Sequence, residues 1–313
     1  MAKKSRDCCP STTCAVHCES KPKLIAVGKR LIHAIVPNEV QTGLDKGERQ
    51  HQPLARRYPD KFFNYVLVPV GDDNQIWTGL EQAIVIAQRE NSQLRGMHIV
   101  PNEAVLASPN AQAVQAEFDR RCQNAGVNGR LILKTGSIAQ TIIDRARWND
   151  LIVMNLAHPP GETIVDRLGS GFRLVIKHSN QPILAVPGTV SPLDKMLLAY
   201  DGSNNSKKAL SITAYLVKQW QAQLVVVTAH EKEAPDPVII DYARRYLELH
   251  EIEAEFKIGS GKAADVILET AVSHHCNLII MGGYGAQPVV EVVLGSPVNA
   301  ILRRTPVPVL ICP

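Results

Sequence analysis

The chain has 313 residues, a formal net charge of +4 and a hydrophobic fraction of 45%. This apolar content supports a packed core and excludes a chain that is disordered throughout. No apolar run approaches the roughly 18 residues that span a membrane, and no apolar segment follows the N-terminal lysines as it would in a secretory signal. We therefore expect a cytoplasmic protein with no membrane partner.

The positive charge lies in the N-terminal region. Residues 1–60 carry 11 Lys/Arg and 6 Asp/Glu, whereas the rest of the chain carries 23 and 24. Because the body has no basic excess, we expect no nucleic-acid partner. Residues 1–61 are predicted to be a basic extension. Its clustered Cys8, Cys9, Cys14 and Cys18, with His17, fit either a metal site or a tail that carries thiols.

From residue 62 onward, short apolar segments alternate with helical patterns. Leu80, Ala83, Ile84 and Ala87, for example, recur at the spacing of one helix face. The predicted strands cover residues 65–70, 94–100, 130–134, 151–155 and 183–186. Helices are predicted near residues 80–87, 112–122, 138–146 and 170–178, with Ile138, Ile142 and Ala146 on one side of the third helix.

The same order then recurs, so the body is an internal duplication. DLIVM at 150–154 matches NLIIM at 277–281, and LGS at 168–170 matches LGS at 294–296. Residues 187–194 are the predicted linker, which gives domains at 62–190 and 191–313. Alternating strands and helices predict an α/β fold with a parallel sheet covered by helices on both faces. In the second copy, strands are predicted at 196–200, 224–228, 254–258, 278–281 and 309–312, and helices at 210–217, 240–247, 263–271 and 297–304.

One segment of the second copy carries possible binding chemistry. Gly282, Gly283 and Gly285 directly follow the fourth strand, and Gly295-Ser296-Pro297 opens a helix. Glycines allow a sharp turn and a close approach to a ligand, and a helix N-terminus attracts anions. The pattern fits a phosphate-binding loop, and it fits an ordinary strand–turn–helix with a capped N-terminus equally well.

The spacing G-x2-G-x9-G-S resembles the nucleotide motif of the universal stress protein family. The resemblance covers residues 62–313 as two tandem copies, and the family's strand-one phrase corresponds to residues 198–203, LAYDGS. It implies that each copy is a five-stranded parallel sheet of order 3-2-1-4-5. Strands one and four would then be neighbours, bringing Asp201 and Gly282 to one crevice. The last strands of the two copies would pair, forming an intramolecular pseudo-dimer, and a homodimer is a further option.

The resemblance also implies a ligand and its contacts. The ligand would be an adenine nucleotide, ATP or AMP, with a magnesium companion ion left open. Two features depart from the family pattern: Pro297 lacks an N–H group, and Ala229 is smaller than the usual valine. The implied binding residues are Ala199, Tyr200, Asp201 and Ala229 around the nucleoside, Met281, Gly282 and Gly285 around ribose and phosphates, and Gly295, Ser296 and Pro297 at the phosphates.

The first copy departs much further from the motif. Gly71 stands at the position of Asp201, and no glycine pair follows the fourth strand, where the sequence is NLAHPP at 155–160. Asp72 and Asp73 add negative charge, and Leu156 and His158 would occupy the space that phosphates need. Only the LGS phrase at 168–170 is kept. We therefore expect the nucleotide to bind in the second copy alone.

Three functional hypotheses remain open. The first is a nucleotide-binding protein of stress response or regulation, and the second is a ligand-free scaffold of the same fold. The third is a slow ATPase, which ranks last because no base or carboxylate pair for a metal is evident near the glycine motif. We therefore expect a binding protein with no catalytic residues and no resident metal.

Overall fold

A computed structural model describes residues 61–71, 77–156, 171–231, 235–284 and 297–313. Residues 61–313 form one compact unit, and we call residues 61–190 the first half and residues 191–313 the second half. Several predicted features lie outside the described residues: the N-terminal cysteine cluster, Asp72, Asp73, His158, the LGS phrase at 168–170, Gly285, Gly295 and Ser296.

The first half alternates strands and helices as predicted. One detail differs: Ile138 is 61% exposed, because the buried face of its helix consists of Ile142 and Ala146. The elements are β1 (Tyr65–Val70), α1 (Trp77–Glu90), β2 (Gln93–Val100), α2 (Pro109–Asn124), β3 (Gly129–Thr135), α3 (Ile138–Ala146), β4 (Leu151–Asn155), α4 (Gly171–His178) and β5 (Ile183–Val186), with a short 3-10 turn at Glu103–Val105.

The second half repeats this order. Its helix α5 begins at an N-cap serine, Ser203, and its helix α8 begins with Pro297 at a position where a missing N–H breaks no intrahelical bond. The elements are β6 (Lys195–Ala199), α5 (Asn204–Trp220), β7 (Gln223–His230), α6 (Pro237–Leu249), β8 (Glu255–Ser260), α7 (Ala263–Ser273), β9 (Leu278–Gly282), α8 (Pro297–Arg304) and β10 (Val309–Cys312).

All ten strands form one sheet of order β3-β2-β1-β4-β5-β10-β9-β6-β7-β8. Each half has the order 3-2-1-4-5, so the predicted fold class is confirmed. Neighbouring strands are parallel except β5 and β10, which pair antiparallel with Leu184 opposite Leu310. The carboxyl ends of the first half's strands therefore lie at one edge of the sheet, and those of the second half lie at the opposite edge.

The sheet has a hydrophobic core on each face, because strand side chains alternate. Val66 and Val68 point to one face and Leu67 to the other. Helices α1, α2, α5 and α6 cover the first face, and helices α3, α4, α7 and α8 cover the second. This arrangement satisfies the rule that parallel sheets are buried on both sides.

Polar contacts join the two halves beside the sheet. The buried carboxylate of Glu90, on α1, accepts hydrogen bonds from the Tyr215 hydroxyl at 2.9 Å and from the Trp220 indole N–H at 2.6 Å, both on α5. Gln82 and Ser191 exchange two hydrogen bonds of 3.0 and 2.7 Å, which fix the linker to α1. The two halves are thereby held in a defined relation.

Candidate functional site

The turn after β6 places Asp201 at the start of α5. The backbone N–H of Tyr200 still donates to Val227 at 2.9 Å, and the Asp201 carboxylate accepts from the N–H of Ser203 at 2.9 Å. Burial acts to raise the pKa of Asp201, but hydrogen bonds from Ser203 and Ser206 outweigh it and leave the pKa lowered. Asp201 is therefore an ionised group that organises this turn.

Helix α5 caps its own N-terminus. The hydroxyl oxygen of Ser203 accepts from the N–H of Ser206 at 3.2 Å, and the Ser206 hydroxyl donates to the Ser203 carbonyl at 3.0 Å. One of the N–H groups that a helix start usually offers is thereby satisfied within the chain. The turn that follows β6 is therefore held by its own hydrogen bonds, and its ionised group is the Asp201 carboxylate.

Gly282 has a packing role as well as its predicted binding role. A Cβ atom at this position would lie 2.9 Å from both the Asn205 Cβ and the Ser206 nitrogen, so the first turn of α5 requires a glycine here. The parallel pairing of β6 with β9 makes this approach possible, and it places Asp201, just after β6, beside the strand that ends in Gly282. Helix packing therefore explains, at least in part, why residue 282 is a glycine.

The loop that follows β9 is held at both of its described residues. The N–H of Gly283 donates to the Cys312 carbonyl at 2.7 Å. The carbonyl of Tyr284 accepts from the Asn205 side chain at 3.1 Å, and the Tyr284 hydroxyl donates to the Asn299 carbonyl oxygen at 2.6 Å. Asn205, Tyr284 and Asn299 were missed from the sequence, since only their tertiary contacts single them out.

The predicted residues divide between the two faces of the sheet. Ala199, Ala229 and Met281 lie on the face covered by α7 and α8, where Tyr284 also packs. The ring of Tyr200 lies in the opposite core and is 2% exposed. Pro297, the first residue of α8, is exposed. The structure therefore brings Ala199, Ala229 and Met281 to one face and leaves the Tyr200 ring on the other.

Three buried side-chain atoms at this end of the second half have no hydrogen-bond partner. They are the Tyr200 hydroxyl oxygen, the His230 Nδ1 at the end of β7 and the Asn299 side-chain nitrogen on α8. Burial, and then the nearby Tyr242 and Asp201, raises the pKa of Tyr200 to about 12, so its hydroxyl keeps its proton. Buried polar atoms are almost always paired, so an unpaired group in a native fold requires an explanation.

The corresponding edge of the first half is arranged differently. The buried His98 ring donates a hydrogen bond from Nδ1 to the Val70 carbonyl oxygen at 3.0 Å. Asn155 is the last residue of β4 and corresponds to Gly282 in the second half. A Cβ atom added to Gly79 of α1 would lie 3.3 Å from the backbone nitrogen of Asn155. Leu156 is buried and its N–H donates to Val186 at 2.7 Å.

The second half also has a groove at the opposite edge of the sheet. This open groove of about 590 Å³ lies at the amino ends of β6, β7 and β8, and its lining includes Lys195, Lys218 and Glu255. None of the predicted binding residues lines it. Among the described residues, no three His, Cys, Asp or Glu side chains are grouped as metal ligands. The helices in the described ranges include none that is both long and apolar enough to cross a membrane.

Parallel strands with helices on both faces and a polar carboxyl edge define a doubly wound α/β protein. The chain belongs to the universal stress protein family: the sequence profile of the "Universal stress protein family" matches residues 63–187 and again 192–313. The chain is therefore a tandem member, with one copy of the family's fold in each half.

Individual relatives carry the same family name. The chain is 25% identical over 211 residues to a universal stress protein of Synechocystis, Slr1230, covering 66% of this chain and 74% of that protein. A universal stress protein of Thermus aquaticus is 33% identical over 132 residues, which are 37% of this chain and 96% of that protein. The crystal structure of a universal stress protein from Archaeoglobus fulgidus matches 80% of this chain and 96% of its own, with 22% identity and a TM-score of 0.69, a likeness of fold.

Proposed function

We propose that the second half binds an adenine nucleotide, ATP or AMP, across the carboxyl edge of β6, β7 and β9, and that the protein acts in stress response or regulation. The observation that carries the proposal is that buried, unpartnered polar atoms lie on both faces of this edge, the Tyr200 hydroxyl on one face and the Asn299 nitrogen on the other, with His230 Nδ1 at the end of β7. A nucleotide offers ring nitrogens, hydroxyls and phosphate oxygens, so it can supply the donors and acceptors that these atoms lack.

The sequence supports the same ligand. The G-x2-G-x9-G-S motif occurs in the second half alone. Gly285, Gly295 and Ser296 lie outside the described residues, so their proposed contacts with the nucleotide rest on this motif. Ala199, Ala229 and Met281 would offer apolar surface to the nucleoside, and Asp201 would accept from a hydroxyl or amino group. Pro297 begins α8, so the phosphates would meet the remaining N–H groups of its first turn. A magnesium ion would enter only with the nucleotide.

The organisation of the chain is part of the proposal. We take residues 1–61 as an extension, and 62–190 and 191–313 as two domains that form a pseudo-dimer within one chain. Antiparallel pairing of β5 with β10 supports this arrangement. A cytoplasmic location and a possible homodimer stay predictions from the sequence and the family resemblance.

A ligand-free scaffold is the competing function, and one observation favours it. Gly282 is required by the packing of α5, so this glycine would be present whether or not a nucleotide binds. The scaffold hypothesis predicts that the buried polar atoms of Tyr200, His230 and Asn299 have no ligand as a hydrogen-bond partner when the protein functions. A slow ATPase is less well supported, because the described residues include no group of His, Cys, Asp or Glu that could hold a metal ion.

Calorimetry with the full chain tests the proposal. The purified protein should release ATP or AMP on denaturation, or bind one of them with one site per chain. Gly295→Val should abolish binding by placing a branched side chain at the phosphates, and the matched Gly169→Val in the first half should leave the affinity unchanged. No binding by the wild type, or binding that survives Gly295→Val, would refute the assignment.

A further inference from the structure

Three side chains from the two halves meet near the β5–β10 junction. The guanidinium carbon of Arg173, on α4 of the first half, lies 5.3 Å from the centre of the Tyr284 ring in the second half. The Tyr284 hydroxyl donates to Asn299 on α8. Arg173 and Asn299 each stand three positions after the serine of an LGS phrase, so they are equivalent residues of the duplication. We call Arg173, Tyr284 and Asn299 the junction cluster.

Two members of the junction cluster are buried, and one of them, Arg173, is a cation. Arg173 is 7% exposed and Asn299 is 1% exposed. Arg173 is the third residue of α4, in the first turn, where the helix dipole disfavours a cation. An anion near the guanidinium would offset this unfavourable dipole interaction.

Asn299 gives an independent indication of a ligand. Its carbonyl oxygen is used by Tyr284, but its side-chain nitrogen is buried and has no partner. Asn299 also lies in the first turn of the eight-residue helix α8, whose positive dipole end favours negative charge. An orphan N–H donor, a helix start and a guanidinium are the groups that together recognise a phosphate oxygen.

We propose that Arg173 and Asn299 contact the phosphate groups of the nucleotide bound in the second half, so that the first half contributes a residue to the site of the second. This inference rests on the proposed function. Tyr284 is the positioning residue, since it contacts the Arg173 guanidinium through its ring and holds Asn299 through its hydroxyl. Nucleotide binding then depends on how the two halves are joined.

The test compares ligands with and without phosphate in calorimetry on the full chain. The ligands are ATP, AMP and adenosine, with inorganic phosphate as a competitor to show whether phosphate alone occupies the site. Arg173→Gln should weaken ATP binding at least about tenfold, equivalent to about 1.4 kcal/mol, and leave adenosine binding unchanged. Arg173→Lys should recover part of the loss, because it keeps the charge but loses the planar, forked donors. Lys177→Gln, an exposed charge on the same helix, is the control and should change neither affinity.

Asn299→Asp provides a second variant of nearly the same shape. It keeps the oxygen that accepts from Tyr284 and replaces the orphan donor with an anionic oxygen, so ATP affinity should fall more than tenfold and adenosine affinity should not. If ATP and adenosine lose affinity equally, or if ATP binds both variants as well as the wild type, Arg173 and Asn299 are structural and this inference is wrong while the proposed function stands. If the wild type binds neither ATP, AMP nor adenosine, the proposed function itself fails.

Discussion

The two halves solve one packing problem in opposite ways. In each, the first turn of a helix approaches the end of the fourth strand closely, and one of the two residues in contact is a glycine. In the first half the glycine is Gly79 on helix α1, and the strand ends in Asn155. In the second half the glycine is Gly282 on strand β9, and the helix carries Asn205 and Ser206.

This exchange changes which element presents polar groups at the edge of the sheet. With the glycine on the strand, α5 can carry Asn205, whose side chain donates to the Tyr284 carbonyl. With the glycine on the helix, strand β4 can end in a residue with a side chain, Asn155. The lack of a glycine pair in the first half is therefore partly a relocation of a packing glycine, and it need not result from the loss of a nucleotide site.

The most damaging way to break the comparison is to remove the strand that joins the halves. Deleting residues 307–313 eliminates β10, whose residues Val309–Cys312 are almost completely buried. Losing four buried apolar side chains, at about 2 kcal/mol each, approaches the whole stability of an ordinary domain. We expect the truncated chain to aggregate or to lose cooperative unfolding in circular dichroism. A soluble product with unchanged melting would show that β5 does not need its partner.

Gly282→Ala should give the next largest effect. The new side chain would meet the Asn205 Cβ and the Ser206 nitrogen, and this backbone cannot move without shifting α5. We expect a loss of about 3 kcal/mol in the free energy of unfolding, measured by urea denaturation. The matched change is Gly79→Ala, whose Cβ contact at 3.3 Å is tight but whose helix propensity improves, so its effect should be within about 1 kcal/mol of zero. Equal losses at both positions would mean that the two glycines do not differ as the distances indicate.

Sequence patterns were sufficient for much of this architecture. Periodicity located the strands and helices within a few residues, and the family resemblance supplied the strand order. Strict alternation along β6 also predicts that the Tyr200 ring is buried, because Met196 and Leu198 share its face of the sheet. The junction cluster could not have been found this way, because Arg173 and Tyr284 meet only through the antiparallel pairing of β5 and β10.

Two tyrosine variants sharpen the comparison between paired and unpaired polar groups. Tyr200→Phe removes a buried hydroxyl that has no hydrogen-bond partner, so the unliganded protein should become more stable by up to about 1 kcal/mol. Tyr215→Phe removes a hydroxyl that donates to Glu90 and accepts from the Phe62 N–H, so it should lose about 1–2 kcal/mol. Urea denaturation of both variants measures the difference. A loss at Tyr200 as large as that at Tyr215 would contradict the assignment of Tyr200 as unpartnered.

The smallest expected effect concerns Asp201, which the first half replaces with Gly71. The folded-state pKa of Asp201 lies below its ordinary value, so ionisation of its carboxylate favours the folded state. This contribution is fully present above the unfolded pKa of about 3.9 and is lost as the pH falls through the folded-state pKa. Asp201→Asn keeps an oxygen that can accept from the Ser203 N–H but cannot ionise. The wild type should therefore be slightly more stable than the variant in urea at pH 6, and the gap should close as the pH approaches 3. A gap that is the same at both pH values would show that the Asp201 charge does not stabilise this turn.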